Sequence, residues 1–194
     1  MQTSRRSILK GSILASLAGT MGATAMSASA AEKQAALPKK EYDLVICGLG
    51  IGGIVTAIRA AQDGLKPVIL EKMSSASGNT IYSAGFMLGV NTKMQQEKKL
   101  ETGDTVDKFY EDMMKVSQGR GDPALTRLVA GNADDTLNWL HDYVGVKYAV
   151  GMKLVWPMLQ RAHLTIGEKK PGGTQLMLYL LAKAKELNVP IVYN

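Results

Sequence analysis

Gly48-Leu49-Gly50-Ile51-Gly52-Gly53 constrains this chain more than any other stretch, because it is a G-x-G-x-x-G turn between two patterned segments. Before it, Tyr42-Asp43-Leu44-Val45-Ile46-Cys47 is a short, β-branched apolar run suited to a buried parallel strand. After it, Ile54, Ala57, Ile58 and Ala61 recur at helical spacing. In such a unit the first glycine, Gly48, permits a tight turn. Gly50 lets a diphosphate approach bare backbone, and Gly53 lets the helix lie close to the strand. The exposed N–H groups of the turn, that of Gly52 included, and the helix dipole then hold the phosphates.

A second strand, Lys66-Pro67-Val68-Ile69-Leu70-Glu71, follows the turn at Asp63-Gly64 and ends in an acid. Glu71 lies 23 residues beyond Gly48, close to the distance at which a carboxylate grips the ribose of a bound dinucleotide. The expected fold is α/β, a Rossmann-like domain with a parallel sheet and flanking helices. The fingerprint alone leaves open whether the dinucleotide is FAD or NAD.

The segment after Glu71 bears on that choice. It reads Glu71-Lys72-Met73-Ser74-Ser75-Ala76-Ser77-Gly78-Asn79-Thr80, then Ser83-Ala84-Gly85-Phe86-Met87. This resembles the FAD-binding domain of the fumarate reductase and flavocytochrome c flavoproteins, a group that includes urocanate reductases and ketosteroid dehydrogenases. The resemblance implies FAD as cofactor, with Glu71, Lys72, Asn79, Thr80, Ala84 and Gly85 joining Gly48, Gly50, Gly52 and Gly53 around it. The family's Gly-Gly-Asn is Ser77-Gly78-Asn79 here, and Phe86 stands where the family has a second glycine, so Phe86 could crowd the flavin. Arg161-Ala162-His163 and the later Pro171-Gly172-Gly173 extend the resemblance. They make His163 a candidate contact to cofactor or substrate; the alternative is an ordinary loop histidine.

The first thirty residues read as an address. Ser4-Arg5-Arg6-Ser7-Ile8-Leu9-Lys10 precedes an apolar run and a small-residue stretch ending Ala28-Ser29-Ala30. Those are the charged, apolar and cleavage regions of a signal peptide. The arginine pair resembles the twin-arginine type, which exports folded proteins and implies the bacterial periplasm. Residues 31–40 are expected to form a linker, and 41–194 the N-terminal part of an FAD-binding domain.

Three of the 23 basic residues lie in that leader, so the rest of the chain is only mildly basic. With no basic cluster interleaved with aromatics, nucleic acid is not an expected partner. The lone Cys47 excludes an internal disulfide and a Cys-based zinc site. No stable membrane span is expected once the leader is removed.

Further along, a helix is expected over 104–117, capped by Asp104. Another should start at Asp122-Pro123, with Leu125, Leu128 and Val129 facing inward, and a separate one at about Ala133 to Tyr143. His141 is expected on its solvated side. An amphipathic helix over Thr174–Leu187 and a strand over Val189–Tyr193 close the chain. The resemblance implies longer proteins, whose capping domain and catalytic groups follow. The chain is therefore expected to be incomplete at its C-terminus: a truncated or split reductase of an activated C=C in an unsaturated carboxylate, inactive alone. A complementary C-terminal half or a cytochrome would then be its partner; no Cys-x-x-Cys-His haem site occurs. An inactive remnant that binds little FAD, and an NAD-dependent reductase, are the alternatives.

Overall fold

The computed structural model describes residues 41–76, 78–100, 103–152, 156, 159–168 and 171–193. The segments read as a signal peptide and a linker, residues 1–40, therefore lie wholly outside the described residues. The chain divides into two units, and Tyr42–Asn194 carries the fold described here.

The glycine turn sits where the sequence puts it. β1 (Leu44–Cys47) leads into α1 (Ile51–Gln62) and then β2 (Pro67–Glu71). β2 pairs in parallel with β1 on one side, Cys47 opposite Leu70, and with β6 (Ile191–Tyr193) on the other. Among the described residues the parallel sheet thus has the order β1-β2-β6. α1 buries Ile54, Ala57 and Ile58 against it, and Leu176, Leu180 and Ala184 of α6 (Gly173–Glu186) join the same core. Apolar side chains of alternate strand positions, Val45, Leu70 and Val192, remain exposed.

A second, antiparallel sheet was not expected. Its order is β3-β5-β4, from β3 (Phe86–Leu88), β5 (Ala162–Ile166) and β4 (Lys147–Ala149). The Arg-Ala-His segment is therefore mostly strand, and His163 pairs opposite Met87 inside the sheet, not in a loop.

In chain order α2 (Asn79–Tyr82) precedes β3, and α3 (Lys93–Glu97), α4 (Val106–Val116) and α5 (Pro123–Trp139) follow it before β4. Thr105, not Asp104, caps α4, by accepting the Lys108 N–H; Asp104 is drawn instead to Arg161. Asp122 caps α5 as expected, through the Leu125 N–H. The two expected helices after it are one, continuing through Gly131 and Asn132 and widening to a π turn over Leu140–Val144. On α5 the inward residues are Ala130 and Leu137, while Leu125, Leu128 and Val129 are mainly exposed. His141 is only part-buried, and its Nδ1 lies 2.9 Å from the Val146 carbonyl. Among the described residues no helix is long and apolar enough to cross a membrane.

Candidate functional site

Each glycine of the turn meets a different demand. Gly48 has φ +102°, a conformation that L side chains rarely adopt. A Cβ added at Gly53 would overlap the Gly48 carbonyl and press on Ile46 Cγ2, so this glycine is required by helix-to-strand packing. A Cβ at Gly50 would meet nothing within 4 Å, and Gly50 has an ordinary φ of −77°. Protein packing thus gives no reason for glycine at position 50; a ligand lying on the backbone does.

Glu71 ends β2 beside this turn. Its Oε2 accepts the Leu49 N–H at 2.6 Å and its Oε1 accepts the Met73 N–H at 2.9 Å. These two N–H bonds, that from Leu49 foremost, hold its carboxyl below the usual glutamate range, so it is charged at neutral pH. An ionised carboxylate has about four lone-pair sites. The backbone of Leu49 and Met73, with a smaller contribution from that of Lys72, takes up part of this capacity, and what remains can accept hydroxyl protons.

The groove between turn and acid measures about 680 Å³. Gly48, Gly50, Glu71 and Lys72 line it, with Leu70, Met73 and Tyr82 among the other walls. Beside it, the first turn of α1 contains no acid that would oppose an anion at the helix N-terminus. The Ile51 N–H donates to Thr80 Oγ1 at 3.1 Å, which ties α2 to the mouth of α1. Gly52 occupies the same first turn, and Asn79 is the exposed first residue of α2.

Ala84 is exposed, whereas Gly85 beside it faces other backbone. Gly85 is buried with φ +74°, and a Cβ there would overlap Gly172 Cα and carbonyl carbon. The Gly173 N–H donates to Ser83 O at 3.0 Å, and Thr174 Oγ1 to Ile81 O at 2.9 Å. The glycine pair ahead of α6 thus exists so that two backbones can touch. Phe86, feared to crowd a flavin, is 38% exposed at the start of β3.

His163 is wholly buried. Its Nδ1 lies 2.7 Å from Arg161 O and its Nε2 2.7 Å from Thr92 Oγ1. A carbonyl only accepts, so Nδ1 carries the proton and Nε2 accepts from the threonine hydroxyl. Burial, opposed by backbone hydrogen bonds, holds this imidazole below its usual range and hence neutral. Neighbouring Arg161, 2% exposed, pairs with Asp104 and with Asp112, the latter at 2.8 Å. Among the described residues no His, Cys, Asp or Glu grouping could hold a metal.

With this geometry in view, the chain matches the FAD binding domain model over residues 43–192. The chain belongs to this family. Membership selects FAD over NAD, as the loop after Glu71 suggested, and the bare backbone at Gly50 with the unspent acceptors of Glu71 suits a dinucleotide.

The chain is 32% identical over 166 residues to a fumarate reductase (cytochrome) of Shewanella frigidimarina, covering 84% of this chain. It is 32% identical over 140 residues to the acrylate reductase flavoprotein subunit of Shewanella woodyi, covering 72%. It spans 28% and 27% of those two proteins. Among solved structures, the open conformation of a flavocytochrome c3 fumarate reductase superposes with a TM-score of 0.71 at 26% identity, covering 80% of this chain and 27% of that one.

Proposed function

We propose that this chain grips FAD for a reductase of the fumarate and acrylate type. In this reading Gly48, Gly50, Gly52 and Gly53 with the mouth of α1 cradle the diphosphate. Glu71, with Lys72 beside it, takes the adenosine ribose, Asn79, Thr80 and Ala84 continue the cradle toward the flavin, and Gly85 braces that stretch from behind against Gly172. The reading rests on one observation: the Leu49 N–H bond to Glu71 Oε2, which joins the acid to the glycine turn in a single groove. Bound FAD supplies hydride chemistry. The residues named here hold and orient it, and the substrate they serve is an activated C=C in an unsaturated carboxylate.

Residues 1–30 act in this reading as a twin-arginine leader that exports the folded chain to the periplasm, 31–40 as a linker, and 41–194 as the flavin-gripping domain. In this reading a cytochrome is the electron donor, and groups outside residues 41–194 bind and protonate the substrate.

The direct experiment is to purify the full chain, incubate it with FAD, remove free flavin and record the visible flavin spectrum. Retained flavin in the wild type, lost in Gly50→Val, is the expected result. Wild-type protein that retains none would leave the inactive-remnant reading standing.

A further inference from the structure

Tyr82 is the last residue of α2, and it is 82% exposed. Its ring and hydroxyl make no ring contact or hydrogen bond to any described residue. Loose surface tyrosines are common, but the backbone carrying this one is tightly held. Thr80 just before it accepts from the mouth of α1, and the Ile81 and Ser83 carbonyls on either side are bonded to α6. A firmly held backbone thus carries a bare aromatic ring at the edge of the groove that Gly50 and Glu71 line.

The rest of that lining is short of flat surface. It offers glycine backbone, the wholly buried Leu49, the Cys47 thiol, the Leu70 side chain, the Met73 thioether and two charged side chains. Met73 and Leu70 are themselves 47% and 43% exposed. Glu71 accounts for a sugar and the glycine turn for a diphosphate. Neither accounts for a purine, whose large π face gains most from another ring or an apolar wall.

We propose that Tyr82 is the aromatic surface on which the adenine of the bound cofactor stacks, a role that rests on reading the groove as the FAD grip. The ring is a positioning element: it adds affinity for the adenosine half and leaves the diphosphate contacts to the backbone.

The test titrates the flavin-free full chain with ADP and, separately, with inorganic pyrophosphate, for the wild type, Tyr82→Ala and Tyr82→Phe. Because the side chain is exposed, both variants should keep the wild-type thermal midpoint. Removing one base–aromatic stack should weaken ADP about tenfold in Tyr82→Ala. Tyr82→Phe should stay near wild type, and pyrophosphate should bind all three alike. Equal ADP affinity in the wild type and Tyr82→Ala overturns the stacking role while leaving the FAD grip intact, and so does a parallel loss of pyrophosphate in that variant. A wild type that binds neither ADP nor pyrophosphate refutes the FAD grip, and the stacking role with it.

Discussion

Glu71 and His163 each fasten to their surroundings through both polar side-chain atoms, one at the end of β2 and the other within β5. Glu71 is held chiefly by the Leu49 and Met73 N–H groups and lines a groove. His163 has one proton and one lone pair to offer in its neutral form, and Arg161 O and Thr92 Oγ1 use both. The glycines divide the same way. Gly50 has open space beside it, whereas Gly85 and Gly173 are pressed against other backbone. Capacity left over after the fold is satisfied marks the place where a ligand can be held. Capacity fully used marks the framework.

The contrast breaks most severely at Arg161. Its guanidinium is the buried partner of both Asp104 and Asp112. Arg161→Ala should cost about 3–5 kcal/mol by leaving the buried Asp104 carboxylate and the part-buried Asp112 without their cation. Urea unfolding would measure it; a wild-type midpoint would show that the framework does not depend on this triad. Gly50→Val should do the reverse. With nothing within 4 Å of the new Cβ the fold tolerates it, while flavin affinity falls about a hundredfold through the clash with ligand. Equal losses of stability and flavin would erase the distinction between the two regions.

Smaller effects sharpen the comparison. Glu71→Ala should weaken flavin about tenfold, the size of a lost hydrogen bond to a charged group, and Glu71→Gln less, since one acceptor oxygen survives. Equilibrium dialysis would rank the three proteins. The mildest probe is acid. A buried imidazole with lowered affinity for protons takes them up more readily when unfolded, so stability should begin to fall below about pH 6.5, the ordinary histidine value. Glu71, also lowered, loses its contribution only below about pH 4.3. His163→Gln should abolish the upper part of the stability profile and leave the lower part; an unchanged upper part would assign it to another group.

How much of this was legible follows from the range of the interactions involved. The β1-α1-β2 unit was readable because its signals are local: a glycine spacing, a helical period and an acid at a fixed offset. The antiparallel sheet was not. β3 and β4 have three residues each, and β5 alternates buried polar side chains such as His163 and Thr165 whose partners lie far away in sequence. Leu125, Leu128 and Val129 were read as inward because periodicity finds an apolar stripe and says nothing about what covers it. Asp104 was read as a cap because a nearby helix start is visible in sequence and an arginine 57 residues away is not. Of the site, Glu71 and the turn were found from spacing, while Tyr82 carried no motif and became visible only through its groove.

The seam between Gly85 and the Gly172-Gly173 pair has a bearing on biosynthesis. Thr80 and its helical turn are steadied by amide and hydroxyl groups of residues made some ninety positions later. A nascent chain displaying only the first βαβ unit would have the turn and the acid, but not the brace behind α2. If the groove is the proposed FAD grip, the nucleotide reaches its final pose only after α6 has been made, and cofactor loading is expected late in the synthesis of this domain.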